Sequence, residues 1–173
     1  SAASDVYKRQ AQAHIDHHKH VQSLYEELLK DVKGVHIHKQ PADKRYDSNF
    51  WLCTATIDED VKVVGQENAY QEVIKTAVGG AAGVIKAVNS ATTDCQPNEN
   101  VEALRVFMLN NKIEARPVWK PMHKQPVYVD APCYTNGIEE DIFKIGFCLP
   151  AGPYVIDDDV KYIVEKIKEA IIG

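Results

Sequence analysis

Between Ile113 and Tyr128 the chain sets Arg116, Trp119, Lys120, His123, Lys124 and Tyr128 among three prolines, Pro117, Pro121 and Pro126. Guanidinium and ammonium groups pair with phosphate or carboxylate oxygens, and the planar arginine fork meets two such oxygens at once. Tryptophan and tyrosine offer flat apolar faces to a base or a sugar ring. These side chains therefore suggest the holding of an anionic ligand, a pyrophosphate with a flat group attached. Proline fixes φ and lacks an N–H, so none of the three sits inside a regular helix. Arg116, Lys120 and Gln125 precede prolines and are pushed towards extended backbone. The segment reads as a strand, Ile113 to Trp119, running into a stiff loop. In a strand Arg116 and Val118 share one face and Trp119 takes the other. Beyond Pro121 the loop can turn Lys120 and His123 towards a common point. A surface loop pinned by a buried tryptophan accounts for the same residues, and chemistry alone leaves the two readings balanced.

Other candidates carry less. Six of the seven histidines precede residue 39. His14 and His18 are spaced i, i+4 with His17 adjacent, but a zinc site needs further ligands and partners behind them. A solvated helix face beside Asp16 and Lys19 is expected, and no metal site. His36 and His38 share a strand face and suit an exposed sheet edge. Gly79 to Gly83 lacks the Lys-Ser or Lys-Thr of a phosphate loop and the spacing of a dinucleotide fold. Asp157-Asp158-Asp159 lacks the spacing of a calcium loop, and acids at a helix start are favoured by its dipole. Cys53, Cys95, Cys133 and Cys148 form no C-x-x-C pair. They are expected to be reduced thiols of a cytoplasmic protein, with Cys53 and Cys148 packed in the core.

The elements that must position these residues follow from periodicity. Val21, Leu24, Tyr25, Leu28, Leu29 and Val32 repeat as one helical face, with Lys33 in the last turn and Gly34 after it. Val35 to His38 alternates as a short strand, Pro41 to Ser48 is a turn region, and Phe50 to Ile57 reads as a buried strand. Tyr70, Val73, Ile74, Ala77 and Val78 have helical spacing before the Gly79–Gly83 break, inside an excursion. Asn98 is placed to cap a helix to Asn110 with Val101, Leu104, Phe107 and Met108 inward, and Asn110 or Asn111 to end it. Thr135 or Asn136 begins a short helix that ends before Gly146. Phe147 to Leu149 is a brief strand. Asp157 caps a last helix with Val160, Ile163, Val164, Ile167 and Ile171 on its face, ended by Gly173. This order predicts an α+β fold, a small antiparallel or mixed sheet with helices on one face.

Composition bounds the function. A chain of 173 residues with 45% hydrophobic content buries roughly 70% of its unfolded surface. Its net charge of −5 gives nucleic acid no electrostatic footing. No apolar run approaches the roughly 20 residues of a membrane span, so neither nucleic acid nor membrane is an expected partner.

The core Ala115-Arg116-Pro117-Val118-Trp119-Lys120-Pro121-Met122-His123 resembles the C-terminal domain of the DegT/DnrJ/StrS family of sugar-nucleotide aminotransferases. So do Phe147-Cys148-Leu149-Pro150-Ala151-Gly152 with the last helix, and Tyr25-Glu26-Glu27-Leu28-Leu29 followed by Ser48-Asn49-Phe50-Trp51-Leu52. The resemblance implies the small domain of a fold-type I aminotransferase preceded by a long connecting helix. Residues 11–34 are then the connecting helix and 35–173 the small domain, with 58–97 an insertion; residues 1–10 match nothing and are expected to be a non-native junction. Family members are roughly twice this length by the same resemblance, and their large domain carries the Schiff-base lysine of pyridoxal 5'-phosphate. The chain is thus expected to be a fragment, inactive alone, with no catalytic and no cofactor-binding residue of its own. The resemblance implies a nucleotide-linked keto sugar as substrate, glutamate as amino donor, a homodimer when full length, and a place in amino-sugar synthesis for polysaccharide. It points to His123 first as substrate-binding, then Arg116, Trp119 and Lys120, then Tyr128. A sugar dehydratase of the same family, or a nucleotide-sugar-binding domain without chemistry, remains open at this level.

Overall fold

The structure is a computed structural model that describes residues 2–70 and 95–172. The Gly79–Gly83 break and most of the helical spacing that leads into it lie outside the described residues. Helix α1 (Ala2–Leu29) runs without a break through the boundary expected at residue 10. Its inward face follows the periodicity, with Val21, Tyr25 and Leu29 buried and Leu24 and Leu28 packed against them. It ends at Leu29, earlier than the expected Lys33, because the chain tightens into turns. The Val32 N–H donates to Leu29 O at 3.0 Å and the Val35 N–H to Val32 O at 3.3 Å. Gly34 then takes φ +77° and delivers the chain into β1 (Val35–Ile37).

Strands β1, β2 (Cys53–Ile57), β5 (Gly146–Leu149) and β4 (Arg116–Pro117) form an antiparallel sheet in the order β1-β2-β5-β4. A second antiparallel pair joins β3 (Lys62–Val63) to β6 (Ile171–Ile172), which ties the start of the excursion to the end of the chain. In the register Cys53 faces Leu149 and Ala55 faces Phe147. Directly paired residues share a face, and all four belong to the main apolar cluster. Among the described residues the other α-helices are α2 (Glu99–Asn110), α3 (Ile138–Ile145) and α4 (Asp157–Ala170). Leu104 and Met108 of α2, and Val160, Ile163, Val164 and Ile167 of α4, join the same cluster with the α1 face. The α+β layout thus stands, with α1, α2 and α4 closing the core side of the sheet. Phe143 of α3 is buried outside that cluster.

Several boundaries differ from the sequence reading for local reasons. The strand expected from Phe50 begins at Cys53, because Phe50 takes φ +45°. Asn98 occupies the N-cap of α2 without a side-chain cap bond; its amide reaches Glu59 at 3.3 Å. The left-handed residue that follows α2 is Lys112, at φ +65°, and neither Asn110 nor Asn111. Gly137, not Thr135 or Asn136, is the N-cap of α3; Thr135 Oγ1 accepts from its N–H at 3.0 Å. The N-cap of α4 is Ile156, whose N–H donates to Asp159 Oδ2 at 3.0 Å, so Asp157 is the first helical residue. Asp157 is then available to His20 of α1, at 2.7 Å. His36 of β1 likewise meets Asp58 at 3.0 Å.

Gly34 offers a clean test of this packing. A Cβ there overlaps Val61 Cγ2, whereas a Cβ at Gly65, which has nearly the same φ of +79°, meets nothing within 4 Å. Both Gly→Ala changes incur the left-handed backbone strain, and only Gly34→Ala adds overpacking of about 1–3 kcal/mol. Urea denaturation is expected to show a lower midpoint for Gly34→Ala than for Gly65→Ala.

Candidate ligand-binding cleft

Arg116, Trp119 and Lys120 all border a cleft of about 920 Å³. Arg116 pairs in register with Cys148, and Cys148 and the adjoining Leu149 both line the cleft. Strand β4 is only two residues long. Pro117 has no N–H to give the ladder, and the Val118 N–H makes the last bond, to Gly146 O at 3.1 Å. The strand expected to continue to Trp119 therefore stops, and the chain leaves the sheet before the alternation can carry Trp119 to the other face. Trp119 is 64% exposed, so the alternative of a buried tryptophan anchor is set aside.

A second tryptophan completes this rim. Trp51 is 61% exposed, and its ring centroid lies 5.9 Å from that of Trp119 at a tilt of 38°. The sequence reading placed Trp51 in a buried strand. Local side-chain bonds pull it out: Ser48 Oγ accepts the Phe50 N–H at 3.1 Å and Asn49 Oδ1 accepts the Trp51 N–H at 3.3 Å. Serine and asparagine make such bonds in competition with strand pairing. The Ser-Asn pair just before the aromatic run was the available signal.

The charges on the cleft are unequal. Arg105 Nε donates to Glu102 Oε2 at 2.7 Å, with side chains 21% and 10% exposed, so this pair is committed within the protein. Arg116 donates from Nε to Glu114 Oε1 at 2.8 Å, and both side chains are largely exposed. Exposed pairs of this kind contribute about 0–1 kcal/mol, so a diphosphate can replace the carboxylate at small cost. Lys120 is half-buried on the same rim. Burial pushes the Cys148 thiol up, and burial with the charges of Glu26 and Cys148 pushes Cys53 up to about 12. Neither thiol is set up as a nucleophile. Cations beside flat rings equip the cleft to bind an anion bearing a planar group.

His123 and Tyr128 do not line this cleft. His123 sits in a short 3-10 turn, Met122–Lys124, and is turned to α3. Its Nε2 is 2.9 Å from Glu140 Oε1 and its Nδ1 3.8 Å from Glu139 Oε1, with the ring only 18% exposed. Lys124 Nζ lies 3.4 Å from Glu140 Oε2. Tyr128 is exposed, its N–H donating to Gln125 O at 2.9 Å. The proline loop thus divides into a cleft part, Arg116 to Lys120, and a part docked on the acidic first turn of α3. On α1, His17 meets Gly152 O at 3.2 Å and His20 meets Asp157; among the described residues no group of three His, Cys, Asp or Glu is placed to hold a metal.

Residues 86–168 match the model of the DegT/DnrJ/EryC1/StrS aminotransferase family. The putative pyridoxal phosphate-dependent aminotransferase EpsN of Bacillus subtilis is 40% identical over 62 residues, 34% of this chain and 16% of that protein. The GDP-perosamine synthase of Escherichia coli O157:H7 is 37% identical over 71 residues, 41% of this chain and 19% of that protein. The aminotransferase TlmJ of Streptoalloteichus hindustanus superposes with a TM-score of 0.63 at 13% identity, covering 95% of this chain and 34% of that one. The fold is shared with part of that aminotransferase structure. Over residues 86–168 this chain is similar to the DegT/DnrJ/EryC1/StrS aminotransferase family, and it spans 16–19% of the two curated relatives and about a third of the TlmJ structure.

The family's cofactor, pyridoxal phosphate, needs an enclosed lysine for its Schiff base. Among the described residues no lysine is buried, and the lysine on the cleft, Lys120, stands on its rim.

The docked half of the loop is sensitive to acid. Glu140 is held below the usual carboxylate range, first by its hydrogen bond with His123 and then by Lys124. A depressed carboxyl stabilises fully above its unfolded value near 4.3, and that contribution is lost as pH falls through the lower folded value. Glu140→Gln is therefore expected to flatten the fall in denaturation midpoint below about pH 4, measured against wild type across the same acid series.

Proposed function

We propose that this chain forms the C-terminal, small-domain part of a pyridoxal-phosphate-dependent aminotransferase acting on a nucleotide-linked keto sugar. The observation that carries this reading is the cleft itself, where Arg116 and Lys120 stand beside the exposed rings of Trp119 and Trp51. The family match and the two relatives support it: one is named for pyridoxal phosphate and transamination, the other for a GDP-linked sugar product. In this reading Arg116 and Lys120 hold the diphosphate and Trp119 supports the flat part of the ligand. His123 and Tyr128 lie outside the cleft; the reading keeps them as contacts for the sugar end of the ligand, and His123 also fixes the loop against α3.

The reading takes residues 11–34 as the connecting helix and 35–173 as the small domain, with 58–97 an insertion. The Schiff-base lysine then belongs to another part of the enzyme, and the chain alone has no transaminase activity. Glutamate as donor, a homodimer and a role in polysaccharide amino-sugar synthesis belong to the same reading. A cytoplasmic setting, with the cysteines reduced, belongs to the same reading; among the described residues no helix is long and apolar enough to cross a membrane.

Two measurements test it. Calorimetric titration with a GDP-linked sugar is expected to show saturable binding that Arg116→Ala weakens about tenfold, the loss typical of a charge-assisted hydrogen bond. Absence of any binding sinks the ligand assignment. Borohydride reduction of the chain mixed with pyridoxal phosphate is expected to give scattered, substoichiometric lysine labelling; a single stoichiometric adduct overturns the placing of the cofactor lysine elsewhere.

A further inference from the structure

We propose that Trp51 is a base-recognition residue of the cleft: the base of a nucleoside diphosphate stacks on the Trp51–Trp119 pair while its diphosphate reaches Arg116 and Lys120. The inference rests on the nucleotide-sugar reading and adds a residue outside the family-matched stretch, from a different connection of the fold. Two large indoles in contact, 61% and 64% exposed, make an apolar surface of the kind that monomers reserve for binding. Charge decides what kind of partner it suits. The same rim carries Arg116 and Lys120, which favours a small planar anion over an apolar protein face.

The backbone that carries each ring is restrained. Trp51 is set by the Ser48 and Asn49 bonds to the backbone on either side of Phe50. Trp119 lies between Pro117 and Pro121, which stiffen its backbone. Little ordering entropy is then lost on binding. A centroid separation of 5.9 Å falls within the roughly 4.5–7 Å of rings in direct contact. The base therefore stacks on an outer face of the pair and does not enter between the two rings. Every base offers a π-face, so such a platform adds affinity without choosing among bases. The exposed Glu114–Arg116 pair opens to admit the diphosphate, while the more buried Glu102–Arg105 pair stays closed.

The test uses the 173-residue chain with GDP, UDP and inorganic pyrophosphate, read by indole fluorescence and calorimetry, in wild type, Trp51→Ala and Trp51→Phe. The expected result is quenching by both nucleotides. Trp51→Ala is expected to weaken both by roughly tenfold and to leave pyrophosphate binding unchanged, with Trp51→Phe retaining most of the affinity. Equal nucleotide affinity in wild type and Trp51→Ala overturns the inference and leaves the nucleotide-sugar reading standing. An equal loss for pyrophosphate makes Trp51 a structural support and overturns it too. If wild type binds neither nucleotide nor pyrophosphate, both readings fall. Indole emission that changes with protein concentration alone assigns the two rings to a protein interface, which also overturns it.

Discussion

Strand β5 is hydrogen-bonded on both edges, to β2 and to β4, and its four residues are all buried. Phe147 and Leu149 pack into the main cluster, while Cys148 faces the cleft. One short strand therefore serves two surfaces, and its register couples them. A slip of one residue would exchange the faces, putting Cys148 in the core and Phe147 under the cleft. The neighbouring chain reinforces that register. Helix α3 ends at Ile145 with β5 starting at the next residue, and Pro150 O just beyond accepts from Tyr25 Oη of α1 at 2.8 Å. That bond is part-buried, and burial pushes the Tyr25 hydroxyl well above its ordinary value, so it stays a neutral donor.

The proline loop is held from this framework at two points of different character. Near the sheet, β4 contributes two paired residues and one further bond from Val118. At the other end the loop is fixed by the hydrogen bond of His123 to Glu140 and by Lys124 beside the same carboxylate. Between these anchors the backbone is stiffened by proline, so Trp119 and Lys120 are positioned without being buried. Binding surfaces benefit from that combination: the side chains stay accessible while the entropy of ordering them has already been lost on folding. The cations also have different commitments. Lys124 serves α3, Arg105 serves Glu102, and Arg116 has a carboxylate partner exposed enough to be exchanged.

Much of the scaffold could be read from spacing. The inward faces of α1, α2 and α4 follow their 3.6-residue patterns, because burial of an amphipathic stripe is what stabilises a helix in water. Phe147 to Leu149 was legible as a strand from its apolar run between Gly146 and Pro150. Boundaries were less legible. Caps depend on which side chain reaches which backbone group: Asn98 keeps the N-cap position but turns its amide to Glu59, and Ile156 and Gly137 take the caps expected of Asp157 and Thr135. The start of β2 was misread for a related reason: Phe50, Trp51 and Leu52 have strong β propensity, and two hydrogen bonds from Ser48 and Asn49 override it.

For the cleft, residue types alone determined that cations and aromatic rings crowd the stretch around Pro117 and Pro121, and that proline keeps this stretch out of helix. Those properties are local and travel with the sequence. Which of these side chains share a surface was decided only by the tertiary structure. Strand β4 ends at Pro117, so Trp119 joins Arg116 on one rim. Glu140 lies across from His123, so that ring is turned away. Trp51 arrives from a distant connection because β2 and β4 both flank β5. Through-space neighbours are set by sheet order and register, and neither can be read from a one-dimensional spacing.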